Sequence, residues 1–313
     1  MKEIFFAKFQ AVGNDFLVVG AKGLPRSLPK LARAMLDRHT GVGADGLLVL
    51  APPRDRKKDA RLRFFNADGS EAEMSGNGIR CAGAFLAGLY PARRTFLIET
   101  LAGVKSLERV KGERGKYMFR VGMGAPVLDP VRIPFEAADF PAPVKAFPLH
   151  TEYGVVPVTV TSMGNPHCSV FVTPDFSPTG WVAAPQADAA RTVGATREVA
   201  PGFDPAPAFV GWELLGREIE CNALFPNHTN VEFVRVISRK EIEVRFFERG
   251  VGHTLSSGTG SCAATVAGIL NGLTDREVRV QTEAGTLQVA WREEGEIILT
   301  GPVERIAQGT YNY

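Results

Sequence analysis

Two short segments place a hydroxyl group and a row of backbone amides where a helix is predicted to begin. They read Ser-Gly-Asn-Gly at 75–78 and Ser-Gly-Thr-Gly at 257–260, each between a strand-like run and an apolar run. The first amides of a helix lack intrahelical partners and lie at its positive end, so each segment can hold a carboxylate. We therefore predict that the two segments, which begin at Ser75 and Ser257, together bind one carboxylate. The alternative is that each serine only caps its helix by accepting a bond from an amide of the first turn.

The two segments belong to a longer duplication. Residues 63–78 read RFFNADGSEAEMSGNG and residues 245–260 read RFFERGVGHTLSSGTG, at a constant offset of 182 residues (245 − 63 and 257 − 75). A second repeat relates Gly13-Asn14 to Gly164-Asn165, each followed by strand-like sequence. Two copies this far apart indicate two similar lobes rather than a solenoid. We therefore predict two pseudo-symmetric lobes with a cleft between them that carries two matched sites.

Asparagines cluster beside the repeated elements. Asn14, Asn66, Asn165 and Asn230 each lie in or next to a turn at a strand end. A single asparagine is common in turns for local reasons. Four of them beside the repeated elements predict the lining of a site for a polar, zwitterionic ligand.

The symmetry between the copies breaks at charged and titratable residues. His167 follows one of these asparagines, and Glu248 and Arg249 stand where the first copy has Asn66 and Ala67. An acid–base group and a charged pair on one side only would make the two faces of the cleft chemically unequal. A hydrogen-bonded core histidine and a surface ion pair are the alternative interpretations, and the sequence leaves them open.

The elements that must position these residues follow from hydrophobic periodicity. In the first half it predicts strands over 4–9, 16–19, 47–50 and 61–65, a helix over 29–37, and a second helix that follows the loop at 66–78 and ends near residue 88. The second half predicts strands over 155–162, 164–172, 231–237, 241–247, 277–282, 286–291 and 296–301, and a helix over 261–270. Many strands, two central helices and hairpin-length connections predict an α+β fold rather than a doubly wound parallel sheet.

Proline-rich stretches mark the divisions of the chain. One near 125–148 predicts a linker between an N-terminal lobe, 1–148, and a C-terminal lobe, 149–313, whose last strand could pack back on the first lobe. Another, rich in proline and alanine, predicts a surface loop over 174–210.

The segment GVGADG at 41–46 fits the letters of the dinucleotide-binding pattern GxGxxG. That pattern requires a strand before the loop and a helix after it. Here a helix precedes and a strand follows, so we interpret the segment as a turn whose glycines allow positive φ.

Composition narrows the class of protein. Hydrophobic residues make up 45% of the chain and charged residues 22%, which is typical of globular proteins. A net charge of +2 gives no reason to expect a nucleic acid or membrane partner. The sequence shows neither a membrane-spanning run nor the features of a signal peptide, so we expect a cytoplasmic location. A homodimer is the default expectation.

The cysteines do not predict a metal site. Cys81, Cys168, Cys221 and Cys262 lack the spacing of zinc ligands, and in a chain without export signals we expect free thiols. The cysteine spacing therefore predicts no structural metal.

Together these motifs resemble those of the diaminopimelate epimerase family, which are cofactor-independent amino-acid epimerases. The similarity runs along nearly the whole chain, through VGNDF at 12–16, DRHTGVGADG at 37–46, RFFNADGSEAEMSGNGIRC at 63–81, MGNPH at 163–167, FPNHTNVEF at 225–233 and FFERGVGHTLSSGTGSCAA at 246–264. The resemblance implies two lobes, each a mixed barrel-like sheet around a central helix. It implies an isomerase that interconverts LL- and meso-diaminopimelate in lysine and cell-wall precursor synthesis, without pyridoxal phosphate.

The resemblance also implies roles for individual residues. The residues that would bind the amino and distal carboxylate ends of the substrate are Asn14, Asn66, Asn165, Asn230, Glu248 and Arg249. The loop amides that would bind the α-carboxylate are those of Gly76, Asn77, Gly258 and Thr259. His167 and Glu248 would assist proton transfer at the two reactive positions.

The chain departs from the family at the reaction centre. Where the family has a thiolate and a thiol, one removing the α-proton and the other returning it to the opposite face, this chain has Ser75 and Ser257. Cys81 and Cys262 lie too far into their helices to replace them. A serine hydroxyl is a far weaker acid than a thiol of pKa about 8.5, and each pKa unit corresponds to about 1.4 kcal/mol. We therefore expect binding to survive and two-thiol epimerisation to be very slow or absent.

Three interpretations fit these residues. The chain is a natural serine variant that turns over with help from His167 and Glu248, or an engineered double Cys-to-Ser variant that traps substrate. The third interpretation is a relative with different chemistry, either an isomerase with a His or Glu base or an amino-acid-binding protein without turnover. The sequence does not choose among them.

Overall fold

The computed structural model describes residues 2–113, 115–137, 140–175, 177–178, 182–183 and 211–313. These residues form the predicted α+β fold, in which one continuous network of strands surrounds two of four α-helices. Most of the surface loop predicted over 174–210 lies outside the described residues. Within the described ranges no helix combines the length and the apolar character needed to span a bilayer.

The first lobe begins with a hairpin at residues 3–20 and ends with a long hairpin at residues 103–124. Its elements are β1 (Glu3–Ala11), β2 (Asn14–Gly20), α1 (Leu28–Leu36), β3 (Gly46–Ala51), β4 (Ala60–Asn66), β5 (Glu71–Ala72), α2 (Gly76–Leu89), β6 (Thr95–Thr100), β7 (Gly103–Glu113) and β8 (Lys116–Gly124).

The second lobe repeats much of this order. Its elements are β9 (Phe147–Thr151), β10 (Gly154–Ser162), β11 (Pro166–Val172), β12 (Val182–Ala183), α3 (Trp212–Glu220), β13 (Asn230–Ser238), β14 (Glu241–Glu248), β15 (Gly252–Thr254), α4 (Gly258–Leu270), β16 (Glu277–Thr282), β17 (Gly285–Trp291) and β18 (Ile297–Asn312).

Eight strands close into a barrel in the first lobe. The ring runs β1, β2, β3, β4, β6, β7, β8 and β18, and β18 closes it by pairing with β8 and with β1. Helix α2 passes through the ring, where it fits because half of its residues are glycine or alanine. A Cβ atom added to Gly83 would lie only 2.7 Å from Leu107 Cδ2, so a larger residue there has no room.

The second lobe wraps an open sheet around α4 in the same way. Its strands follow the order β9, β10, β11, β13, β14, β16, β17 and β18. Strand register extends the sequence repeat into the fold, because Phe247 faces Val231 across β14–β13 as Phe65 faces Leu47 across β4–β3. The offset between Phe65 and Phe247 is again 182 residues (247 − 65).

Strand β18 belongs to both sheets. Residues 297–300 pair with β17, residues 297–304 pair with β8, and residues 304–312 pair with β1. One buried cluster accordingly contains side chains from both α2 and α4, and Leu299 of β18 lies between the two helix N-termini. Burial of apolar side chains at about 1.5–3 kcal/mol each makes this shared core a main source of cohesion between the lobes.

Candidate active site where two helices begin

Helices α2 and α4 begin in the same way. The Ser75 Oγ accepts a hydrogen bond from the Gly78 amide at 3.0 Å, and the Ser257 Oγ accepts one from the Gly260 amide at 3.2 Å. Both serines have extended backbones, with φ of −131° and −137°. The capping interpretation therefore describes both hydroxyl groups, and each keeps its own proton free to donate.

The two helix N-termini are in contact. A Cβ atom built on Gly76 would lie 3.1 Å from the Gly258 Cα, and one built on Gly258 would lie 3.0 Å from the Gly76 Cα. Neither glycine has positive φ, so it is this close approach that requires glycine. Two positive helix ends therefore meet at one place, which favours a negatively charged group there.

A polar contact joins the lobes beside this junction. The Asn77 Nδ2 donates to the Ser256 Oγ at 3.3 Å, and the Ser256 hydroxyl donates to the Val12 carbonyl at 2.6 Å. Sequence reasoning missed Ser256, because its partners lie 179 and 244 residues away in the chain.

A buried arginine supports the first of the two helix ends. Arg80 is fully buried in α2, and its guanidinium donates to the Gly76 carbonyl and to the Asn77 Oδ1, both at 2.8 Å. Burial lowers the pKa of Arg80 to about 10. The bond to Asn77 fixes the amide so that its Nδ2 faces the other lobe. Arg80 was also missed, although a lone charge in an apolar helix is a visible signal.

A charged cluster holds Asn14 at the start of β2. The Asn14 Nδ2 donates to the Asp45 Oδ2 at 2.6 Å, and the Arg38 guanidinium bonds both Asp45 and Asp15. Burial alone would raise the pKa of Asp15, but hydrogen bonds from Arg38 and Lys8 outweigh it and lower that pKa. Asp45 belongs to the glycine-rich loop between α1 and β3, whose helix-then-strand setting is the one predicted.

Two further predicted asparagines have structural partners. The Asn66 Nδ2 donates to the Ser70 Oγ at 3.0 Å. Asn230 donates to the Pro166 carbonyl at 2.9 Å and accepts from the Arg249 amide at 3.1 Å. Asn230 therefore fixes the backbone from which the Arg249 side chain extends.

His167 is wholly buried, with an oxygen atom next to each ring nitrogen. Its Nδ1 lies 2.6 Å from the Glu232 Oε1, and its Nε2 lies 3.0 Å from the Asn165 Oδ1. The Ser169 Oγ lies 3.5 Å from the other oxygen of Glu232. Burial raises the pKa of Glu232, and His167 partly offsets this effect. His167 is thus a hydrogen-bonded histidine in the core, which is one of the two interpretations that the sequence left open. Its partner Glu232 was not predicted from the sequence.

The predicted charged pair is separated in the structure. The Arg249 guanidinium donates to the Asn227 carbonyl at 2.9 Å, and none of the described ion pairs links it to Glu248. Glu248 lies at the end of β14, close enough to Glu232 for its charge to contribute to the raised pKa of Glu232. The exposed Arg249 side chain is available to a ligand.

One group of metal-ligand types occurs among the described residues. The ligand atoms of Glu220, Cys221 and His228 all lie within 4.8 Å of one another. Glu220 already accepts from the Gly250 amide at 2.7 Å, so the group also supports the loop that carries Arg249. The absence of a metal stays a prediction.

The cysteines are all free thiols. Cys81 and Cys262 are buried inside α2 and α4, and burial raises the pKa of each to about 12. As predicted, neither can supply a thiolate in place of the two serines.

The predicted site residues thus fall into three groups. Gly76, Asn77 and Gly258 meet at the helix junction, with the half-buried Thr259 next to them. Asn165 and Asn230 lie together in the second lobe, with His167 and the Arg249 backbone. In the first lobe, Asn14 begins β2 and Asn66 ends β4, and these two strands flank β3.

Known proteins are similar to this chain in sequence and in fold. The family model described as diaminopimelate epimerase matches residues 6–128 and 203–306. A diaminopimelate epimerase of Pelotomaculum thermopropionicum is 40% identical over 313 residues, covering 98% of this chain and 99% of the relative. One from Halothermothrix orenii is 40% identical over 309 residues, covering 98% and 97%. A hydroxyproline epimerase of Agrobacterium vitis shares the fold, with a TM-score of 0.63 at 14% identity over 99% of this chain and 91% of that one.

Proposed function

The chain belongs to the diaminopimelate epimerase family, and we propose that it binds diaminopimelate between its two serine-capped helices and moves the α-proton between opposite faces. This makes it an isomerase that interconverts the LL and meso forms. The observation that carries the proposal is the junction of α2 and α4, where Ser75 and Ser257 cap two touching helix ends in one conformation. Such a pair provides one acid–base position for each face of a single carbon.

The α-carboxylate of the substrate fits the junction itself. The free amides of Gly76, Asn77, Gly258 and Thr259 would receive it, with Arg80 adding a buried positive charge behind α2. Negative charge on this carboxylate grows as the α-proton leaves. Donors that are already oriented stabilise such charge without reorganising, so no metal or pyridoxal cofactor is required for this step.

The polar end of the substrate would meet the residues at the strand ends. In the proposal Arg249 binds the distal carboxylate, since its guanidinium is exposed and offers two parallel N–H donors. Asn14, Asn66, Asn165, Asn230 and Glu248 complete the recognition of the amino and carboxylate groups. This assignment of roles follows the family resemblance.

The serine residues set the expected rate. A hydroxyl group yields a useful base only when a neighbouring group accepts its proton. Both nitrogens of His167 already face Glu232 and Asn165, which leaves Glu248 as the candidate base. Binding without turnover is the second candidate function, and the observation that favours it is that both hydroxyl groups serve as helix caps.

The cellular setting is part of the same proposal. A diaminopimelate epimerase serves lysine and cell-wall precursor synthesis, for which a cytoplasmic location and a small-molecule substrate are expected. We also propose a homodimer, since that is the commonest oligomer.

The decisive measurement is exchange of the Cα hydrogen in heavy water. LL- and meso-diaminopimelate would be incubated with the chain and, in parallel, with the double variant Ser75→Cys/Ser257→Cys. Exchange by either protein supports epimerase chemistry at this junction. Binding seen by calorimetry with no exchange in either protein moves the chain to the binding-protein class. If neither protein shows exchange or binding, diaminopimelate is rejected as the ligand.

A further inference from the structure

The two lobes differ in what lies behind their serine caps. Strand β2 pairs with β3 as β11 pairs with β13, and β3 pairs with β4 as β13 pairs with β14. This register puts Phe16 in the place of His167, and Leu48 in the place of Glu232. The first lobe thus has an apolar pair where the second lobe has a hydrogen-bonded, titratable pair.

Members of both pairs lie next to the first turn of a central helix. A Cβ atom built on Gly78 would lie 3.3 Å from Leu48 Cδ2 and 3.4 Å from Phe16 Cε1. A Cβ atom built on Gly260 would lie 2.9 Å from the Glu232 Oε1. The difference between the lobes is therefore located next to the two serine-capped helix starts and not at a remote surface.

Packing alone does not require the polar pair. Glu232 is 1% exposed and His167 is fully buried, so both groups lose their hydration on folding. Replacing a buried ionic pair by apolar residues of similar volume is often neutral or stabilising. The first lobe shows that this fold accepts phenylalanine and leucine at the same two positions.

The pair is connected to a proposed ligand residue. Glu232 contacts Nδ1 of His167, and the opposite nitrogen, Nε2, faces the Asn165 Oδ1 at 3.0 Å. Since an amide oxygen is only an acceptor, Nε2 must carry the proton of that bond. The two N–H groups of Asn165 are then directed away from His167, where an anionic group can accept from them.

We propose that Glu232 is a positioning residue of the active site, which acts through His167 to keep the N–H groups of Asn165 directed at the ligand. The inference rests on the proposed function, because only there is Asn165 a ligand residue. In this proposal, the two sides of the cleft differ chemically because only the second lobe has the buried pair of Glu232 and His167. Glu232 itself touches neither the substrate nor the reacting atoms.

A mutant cycle tests the proposal with replacements taken from the first lobe. Glu232→Leu, His167→Phe and the double variant copy Leu48 and Phe16, so each has a precedent in the fold. Ser169→Ala is the matched control, since it removes a buried hydroxyl beside Glu232 and leaves the bond to His167. Binding of meso-diaminopimelate is measured by calorimetry, and thermal unfolding is recorded for each protein.

We expect each single replacement to weaken binding by about tenfold, as loss of a residue that orients a ligand group commonly does. The double variant should be no weaker than the worse single variant, because Glu232 acts through His167. Its unfolding midpoint should equal or exceed that of the parent chain. The control should bind within about twofold of the parent.

The hydrogen bond of the His167 ring can be measured independently of the stability of the protein. In long-range ¹H–¹⁵N spectra, the Nε2–H signal of His167 is identified by its loss in His167→Phe. We expect this proton to be protected from solvent exchange in the parent and to lose protection in Glu232→Leu. Unchanged protection would overturn the proposal.

The outcomes separate the inference from the function on which it rests. A parent chain that binds no diaminopimelate rejects both. If the parent chain and the Glu232→Leu variant bind meso-diaminopimelate equally well, only the positioning role of Glu232 is rejected. Additive losses in the double variant, or losses that follow the unfolding midpoint, would show that Glu232 acts independently of His167 or only through stability.

Discussion

Replacing Gly258 by alanine tests whether contact between the two helix ends holds the site together. The added Cβ atom would lie 3.0 Å from the Gly76 Cα and 3.3 Å from its carbonyl carbon. Carbon atoms prefer separations of about 3.5–4.0 Å, so the helices must move apart by roughly 0.5–1 Å. The obstacle is backbone, which cannot rotate away as the end of a side chain can.

The structure sets the expected magnitudes. Inserting a methyl group into a well-packed region costs about 1–3 kcal/mol of unfolding free energy. A displacement of this size at a carboxylate site can cost on the order of a hundredfold in rate or affinity. Gly88→Ala is the matched control, because Gly88 lies near the end of α2 with no atom within 4 Å of an added Cβ. There alanine should stabilise the helix by up to about 1 kcal/mol.

Urea unfolding and calorimetry with meso-diaminopimelate measure the two effects. We expect Gly258→Ala to lose stability and nearly all binding, while Gly88→Ala keeps both. If Gly258→Ala binds as the parent does, the helix junction is not the carboxylate site and the reasoning from it fails.

Three more changes have defined outcomes. In Ser75→Cys/Ser257→Cys, Cα exchange should rise by orders of magnitude, while loss of two caps should cost about 0.5–2 kcal/mol each in urea unfolding; an unchanged exchange rate would point to a different base. Asp15→Asn should cost about 1 kcal/mol at neutral pH. Because the pKa of Asp15 is lowered in the fold, its contribution is present above its ordinary value of 3.8 and is lost as the pH falls through the folded value. The variant should therefore show a shallower loss of stability in acid, and identical slopes would contradict the role of the Lys8 and Arg38 contacts. Gly83→Val should destabilise the first lobe by about 1–3 kcal/mol, since even its Cβ meets Leu107, and an unaltered melting curve would show that the barrel interior is not tightly packed.

Elements with strong local patterns were predictable from the sequence. The helix predicted over 29–37 is α1 at Leu28–Leu36, and the strand predicted over 61–65 is β4 at Ala60–Asn66. Strand β7 was missed because most of its residues are exposed and only one is buried, so it lacks the apolar alternation on which the prediction depends. Helix α3 lies in what the sequence indicated only as a long connection. The last strand was predicted over 296–301, but it continues to residue 312 through pairing with distant strands.

The site was predictable only where it is local. The caps of Ser75 and Ser257 involve amides three residues away, and the sequence pattern indicated both. Glu232 lies 65 residues from His167 and Ser256 lies 179 residues from Asn77, so no local pattern could indicate these two contacts. Glu232 was hidden because a charged residue between two apolar strand residues usually predicts a solvated face. Here that face is covered by α4.

Strand β18 also constrains the order of folding. The barrel of the first lobe lacks one of its eight strands, β18, until residues 297–312 have been synthesised. Its other seven strands are complete by residue 124. During translation the first lobe must therefore wait as an unclosed sheet with β1 and β8 unpaired along their outer edges. Closure joins residues of β1 and β18 that lie about three hundred positions apart, which makes it a slow step and ties completion of the first barrel to synthesis of residues 297–312.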